Sequence, residues 1–257
     1  MVLNDSYIMV VETSDYLHRL EANQFNLFTQ KLHNSITKTV VRYNGNVVQL
    51  NDNKYVIAFE WANEAVLFGL KLESKFKYIT PNFDSSIRRL KIGICHPLDS
   101  QDTTVQMATD MCEFVKERIV ISSVVKDRYE ESQNNSFLNS SSVRILNPSE
   151  FQFLDDLMTF LNLRWNDYEL SVDDLTDPLG YSQSQIYRKL VSLTGRSPSH
   201  FIRDYRLNKA LDLIHNRKGT IGNIANQSGF RNPGYFSKCF KERFGLLASK
   251  YVKQHAS

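Results

Sequence analysis

The chain of 257 residues is 42% hydrophobic and 23% charged, the composition of a soluble globular protein with room for two domains. It holds no run of about 18 apolar residues and opens on no signal-peptide pattern, so the sequence predicts a cytoplasmic protein with no membrane partner. The net charge of +3 is unevenly spread: residues 1–150 carry 16 Lys+Arg against 18 Asp+Glu, whereas residues 181–257 carry 14 against 3, an excess that points to a polyanionic partner.

The first predicted element is a strand over "YIMVVET" (7–13). A helix follows, with Leu17, Leu20, Phe28, Leu32, Ile36 and Val40 at helical spacing. "GNVVQLNDNKYVIAFE" (45–60) reads as two strands around Asn51-Asp52-Asn53, a hairpin signal. Next come a helix over 62–76, a strand over 88–95, a helix over 103–116 and a strand over 118–122. The order β-α-β-β-α-β predicts a ferredoxin-like sheet with helices on one face, occupying a domain of residues 1–130. The Ser/Asn-rich stretch "EESQNNSFLNSSSVRI" (130–145) has few large apolar residues and marks a linker, placed at 131–147.

From residue 148 to 257 the pattern is helical. Phe151, Leu154, Leu157, Met158 and Leu161 share one face of a helix over 148–165. Ser171 starts a second helix, with Asp174 at the capping-box position, and Gly180 ends it. Ser182 and Gln185 form another capping box opening 182–194, which Gly195 closes. A longer helix runs over 198–214. Then Thr220 opens a helix ended by Gly229, and Asn232-Pro233 opens 233–244, which Gly245 stops.

A short helix, a glycine turn and a second helix therefore occur twice. That is a doubled helix-turn-helix, in which each second helix enters a DNA major groove and two copies reach turns about 34 Å apart. In the first such helix Ile186, Leu190 and Leu193 face inward, while Gln183, Ser184, Arg188 and Lys189 face out, with Gln185 shared with the cap. In the second, Phe236 and Phe240 face inward, while Arg231, Asn232, Gly234, Tyr235 and Lys238 lie nearer the DNA. Arg suits guanine through two parallel hydrogen bonds and Gln suits adenine; Lys and Ser serve base or phosphate. Tyr187 is expected to pack at the domain surface.

Two resemblances add to this reading. Through "MVVETSDYLHRLE", "GNVVQLNDNKYVIAFEWANEAV", "LKIGIC" and "ERIVISSVV", residues 7–130 resemble the class III nucleotide cyclase homology domain. Through "LTDPLGYSQSQIYRKLVSLTGRSPSHFIRDYRLNKALDLI" and "IGNIANQSGFRNPGYFSKCFKERFG", residues 150–254 resemble the DNA-binding domain of the AraC/XylS transcription regulators. One departure of the second match from its pattern is at "LLASKYVKQ", which lacks the usual proline. The whole chain is thus expected to be α+β: a ferredoxin-like α/β sandwich, then an all-α domain with two helix-turn-helix motifs.

The cyclase resemblance implies two metal-bridging carboxylates and an Asn/Arg pair against ribose and phosphate. Those positions here read Glu12, Asn53, Gln106 and Asp110, and an acidic group at the last would repel the phosphate. The front domain is therefore expected to be non-catalytic, serving dimerisation or ligand sensing, with a nucleotide or another small molecule as effector. A working cyclase with a DNA-binding tail is the alternative. Cys95, Cys112 and Cys239 stand far apart and the six histidines are scattered, so neither disulfide, metal nor cofactor is expected. The resemblances imply double-stranded operator DNA as partner, a homodimer through the front domain, and contact with RNA polymerase, as in a bacterial regulator.

Overall fold

In a computed structural model the chain is described at residues 5–13, 22–50, 54–79, 90–132, 138, 143–216 and 219–255. The apolar run of the first segment forms strand β1 (Tyr7–Glu12). Helix α1 (Ala22–Val40) buries Leu32, Ile36 and Val40 as their spacing predicts; Leu17 and Leu20 lie outside the described residues. The hairpin strands are β2 (Asn46–Leu50) and β3 (Lys54–Phe59). Helix α2 (Ala62–Ile79), strand β4 (Lys91–Cys95), helix α3 (Gln101–Phe114) and strand β5 (Ile119–Ser122) follow. α3 begins two residues ahead of the expected start because Ser100 and Thr103 cap it reciprocally.

Two elements complete this part beyond the expected ones. Helix α4 (Ser123–Ser132) runs on directly from β5, and strand β6 (Val143–Leu146) pairs in parallel with β5. The segment expected as a linker from 131 to 147 thus contributes an edge strand. The six strands lie in the order β2-β3-β1-β4-β5-β6. β1 is antiparallel to both β3 and β4, β2 is antiparallel to β3, and β4, β5 and β6 run parallel.

Strand alternation splits the side chains between two faces. On one, Met9, Val11, Ile57, Phe59, Ile92, Ile94, Ile119 and Ile121 pack with Leu32 and Ile36 of α1, Phe68 and Leu72 of α2, and Val125 of α4. The other face is covered by α3, which corrects the expectation of helices on one face. Gly93 explains the close approach: a β-carbon there would collide with the Ala108 carbonyl and the Cys112 backbone.

The chain divides into two units, Met1–Gln152 and Phe153–Ser257, the division falling inside helix α5 (Pro148–Arg164). In the first unit the Phe151 ring sits 5.3 Å from that of His96. Phe153, Leu154, Leu157, Met158 and Leu161 form the buried face within the second unit, so Phe153 takes the place expected for Phe151. Of the helix expected over 171–179, Asp173–Leu175 is a 3-10 turn and Thr176–Leu179 a short helix, α6. Helices α7 (Gln183–Thr194), α8 (Pro198–His215), α9 (Ile221–Gln227), α10 (Pro233–Phe244) and α11 (Ala248–His255) follow. α8 packs against α7 and also against α9, α10 and α11. Its Leu207, Ala210 and Ile214 join Ile224, Phe230, Phe236, Phe240 and Phe244 in one apolar core. Among the described residues no helix is long and apolar enough to cross a membrane.

Candidate nucleic-acid interface

Local capping fixes where the two repeated helices begin. The Gln185 N–H donates to Ser182 Oγ (3.4 Å) and the Ser182 N–H to Gln185 Oε1 (2.9 Å), satisfying two donors that the first turn of α7 leaves open. At α10 the N–H groups of Gly234 (2.8 Å) and Tyr235 (3.1 Å) donate to Asn232 Oδ1, with Pro233 in the first helical position. Both helices close on a left-handed glycine, Gly195 and Gly245. The turns ahead of them differ by one residue. Tyr181 alone separates left-handed Gly180 from Ser182, while Phe230 and Arg231 separate left-handed Gly229 from Asn232.

The inner faces match. Ile186, Leu190, Phe236 and Phe240 are all fully buried. On the outside, Gln183, Ser184, Gln185 and Arg188 of the first repeat and Arg231, Asn232, Gly234, Tyr235 and Lys238 of the second are exposed. The turn after α7 is held to α8 by Asp204, whose buried carboxylate accepts from Arg203 (3.0 Å) and Arg196 (3.3 Å). The two outer faces are therefore presented from one helical framework with α8 as its shared element.

Several of these side chains already have partners. Gln183 donates to the Asp173 carboxylate. Gln185 and Asn232 serve the caps. Ser184 Oγ lies 3.2 Å from Ser182 Oγ, and Arg188 Nε donates to the Ser184 carbonyl at 3.3 Å. Lys189, expected to face out, is half-buried, its ammonium 4.6 Å from the Tyr181 ring centre and 5.4 Å from that of Phe153. Arg231 stacks over Tyr168 at 4.6 Å and pairs with Glu169. The Tyr235 phenol is held above its ordinary pKa, first by its hydrogen bond with Cys239 and then by burial.

In the first unit the cyclase-like positions gather in part. Glu12 is buried at the end of β1, in register with Lys54 on β3 and Lys91 on β4. Lys54 Nζ reaches Glu113 Oε1 at 3.5 Å; burial opposes its charge, yet Glu113 and Glu12 hold its pKa above the usual value. Lys91 Nζ donates to the carbonyls of Glu113 (3.1 Å) and Val115 (2.8 Å). On α3, Gln106 Nε2 donates to Asp110 Oδ1 at 3.0 Å. Asn53 lies outside the described residues. The set does not fit a two-metal centre, since Glu12 shares its surroundings with two ammonium groups, and no group of three His, Cys, Asp or Glu suited to a metal occurs among the described residues.

Comparison with known proteins bears on the helical unit. Residues 175–254 match the family described as a helix-turn-helix domain. The protein named HTH-type transcriptional activator RhaR of Pectobacterium carotovorum is 37% identical over 71 residues, 28% of this chain and 25% of that protein. A transcriptional regulator structure from Chromobacterium violaceum, described as containing an AraC-type DNA-binding domain, is 26% identical, covering 41% of this chain and 94% of that one, with a TM-score of 0.38. The C-terminal unit is an AraC-type helix-turn-helix domain. The chain also aligns with histidine kinase P4 of Formosa agariphila, 28% identical over 146 residues, 55% of this chain and 11% of that protein. It thus spans a small part of the length of these two curated relatives.

Two features of the AraC-type domain escaped sequence reasoning. Tyr187, expected to pack, is 52% exposed. It shares with Ser184, Arg188 and Val191 the spacing of a single helical face, all four exposed, so the spacing carried the signal and the bulk of the tyrosine obscured it. The other is the stacking of Arg231, already among the DNA-facing candidates, on Tyr168, across a sequence gap that no local pattern reports.

Proposed function

We propose that this protein is a sequence-specific DNA-binding transcription regulator of the AraC type, reading two successive major-groove segments of double-stranded DNA with α7 and α10. The observation that carries the proposal is the matched pair of helices: Arg188 and Lys238 stand on exposed faces whose opposite sides, Ile186/Leu190 and Phe236/Phe240, are fully buried. A common helix, α8, packs against both, which supports a fixed spacing of the kind two adjacent groove segments require. The 14 basic against 3 acidic residues over 181–257 supply attraction to the phosphate backbone.

The first unit acts without catalysis, in dimerisation or in sensing a small molecule or nucleotide. Its antiparallel strand order β2-β3-β1-β4 supports the ferredoxin-like, cyclase-related reading. The ammonium groups of Lys54 and Lys91 around Glu12 support loss of the chemistry. A homodimer would bring two pairs of reading helices to related half-sites, and contact with RNA polymerase would follow from the regulatory role. The test is selection of bound sequences from random double-stranded DNA by the 257-residue chain, with incubation of the same protein with ATP or GTP and Mn²⁺. An enriched motif with two segments one helical turn apart, and no cyclic nucleotide, is expected. No enrichment ends the regulator reading, and a cyclic product ends the non-catalytic one.

A further inference from the structure

Around the turn that leads into α10, the second unit forms an open cavity of about 350 Å³. Its lining comes from three stretches far apart in sequence: Tyr168 to Val172 ahead of the first repeat, Ser199 to Arg206 on α8, and Gly229 to Tyr235 at the second turn. The volume falls in the lower part of the range of small-molecule sites, about 300–1,000 Å³. Leu170, Ile202 and Phe230 give it an apolar body, and three arginines, Arg203, Arg206 and Arg231, are among its lining residues.

The three cations differ in how they are balanced. Arg203 donates through Nε (3.2 Å) and Nη2 (3.0 Å) to Asp204 Oδ1, a buried carboxylate that it shares with Arg196. Arg231 pairs with Glu169, an exposed side chain between the lining residues Tyr168 and Leu170, which an incoming anion would replace. Arg206 has neither arrangement. Its Nε donates to the Trp165 carbonyl (2.9 Å) and its Nη2 to the Asp167 carbonyl (2.7 Å), both neutral acceptors. The nearby Asp167 carboxylate is engaged by Arg164 at 2.6 Å. Arg206 is half-buried, and burial lowers its pKa, with Asp167 opposing, yet a guanidinium stays charged at neutral pH. A charge partly removed from water, whose nearest carboxylate is already hydrogen-bonded to another guanidinium, favours a further anion beside it.

We propose that this cavity binds a small organic anion, a carboxylate or phosphate ester on a flat apolar body. Arg206 and Arg231 take the anionic group; Leu170, Ile202 and Phe230 take the body. Asn232, which caps α10, and Tyr235 in its first turn line the same cavity, so an occupant bears on the geometry of the second reading helix. This last consequence rests on the proposed DNA reading; the binding itself does not.

The test uses the full 257-residue chain and four probes, benzoate and phenyl phosphate with their neutral counterparts benzamide and benzyl alcohol, followed by ligand-observed NMR. Saturable binding of the anions is expected, with the neutral probes about tenfold weaker or more, the worth of one charge-assisted hydrogen bond. Ser199→Trp, which fills the cavity from an exposed position, should abolish binding, Arg231→Gln should weaken it, and Glu169→Gln should strengthen it. If Ser199→Trp fails to fold, the opposed shifts of Arg231→Gln and Glu169→Gln still decide. Equal binding of neutral probes, no saturation by either anion, or unchanged binding in all variants would overturn the proposal. Displacement of phenyl phosphate by DNA, with no benzoate binding, would assign the cavity to a backbone phosphate and overturn it too. DNA affinity is measured separately: a chain that binds benzoate but no DNA ends the regulator reading alone.

Discussion

Arg206 Nε lies 3.0 Å from the point where a β-carbon on Gly229 would stand, with the Trp165 carbonyl oxygen, its hydrogen-bond acceptor, equally close. The turn of the second repeat is thereby seated on α8 and on the end of α5. The matching turn of the first repeat is open, since a β-carbon on Gly180 would meet nothing within 4 Å. Both glycines are left-handed, with φ of +73° and +66°, so any other residue pays a backbone cost of about 1–2 kcal/mol at either place. Gly180→Ala should lose only that. Gly229→Ala should lose it and a further crowding cost of about 1–3 kcal/mol. Urea unfolding read on Trp165 in a Trp61→Phe background compares them; equal losses would show that the contact with Arg206 yields freely.

The caps make a second separation. Ser182 Oγ accepts the Gln185 N–H, whereas Ser184 Oγ caps no backbone N–H among the described residues and lies beside the Ser182 hydroxyl. Ser182→Ala should lower stability by about 1 kcal/mol, the usual worth of an N-cap, and Ser184→Ala should leave it unchanged. Thermal unfolding of both variants checks this. A loss in Ser184→Ala equal to that in Ser182→Ala would mean that α7 does not start where the capping box puts it.

These caps are also why the helical unit was legible in the sequence. Ser182, Gly195, Asn232, Pro233 and Gly245 act within a few residues of themselves, so the bounds of α7 and α10 follow from local chemistry. What escaped depends on distant partners. β6 has four residues behind a Ser/Asn run and becomes a strand by pairing with β5. α3 sits on the far face because Gly93 admits it. Among the candidate contacts, the pattern separated inward from outward positions, but could not tell that Lys189 would turn onto Tyr181 and Phe153, since Phe153 lies 36 positions earlier in the chain.

Salt dependence measures how many cations meet phosphate. Binding should weaken linearly in log–log terms, each phosphate contact adding about 0.9 to the slope. The slope should fall well short of the 14 basic residues over 181–257, because Lys189 rests on aromatic rings and Arg196 and Arg203 are held by Asp204. Titration between roughly 50 and 200 mM salt tests it. A flat affinity would remove backbone contact from the account of this unit.

Arg188 and Lys238 occupy equivalent places in the two repeats, two positions beyond the buried Ile186 and Phe236. If α7 and α10 each enter the major groove, the two side chains address different segments of one site, about 10 base pairs apart. Arg188 is exposed on α7 and its Nε donates to the Ser184 carbonyl, which limits its freedom before binding. Arg188→Ala should then cost about 1–3 kcal/mol and relax base preference in one segment, as loss of a bidentate contact to guanine does. Lys238→Ala should act on the other segment. Should Lys238 meet only phosphate, its loss should weaken all sequences alike and reduce the salt slope by about one. Footprinting and binding selection on each variant, with unfolding measured in parallel, separate these outcomes. If both substitutions altered the same base pairs, or neither altered any while binding persisted, α7 and α10 would not be tandem readers.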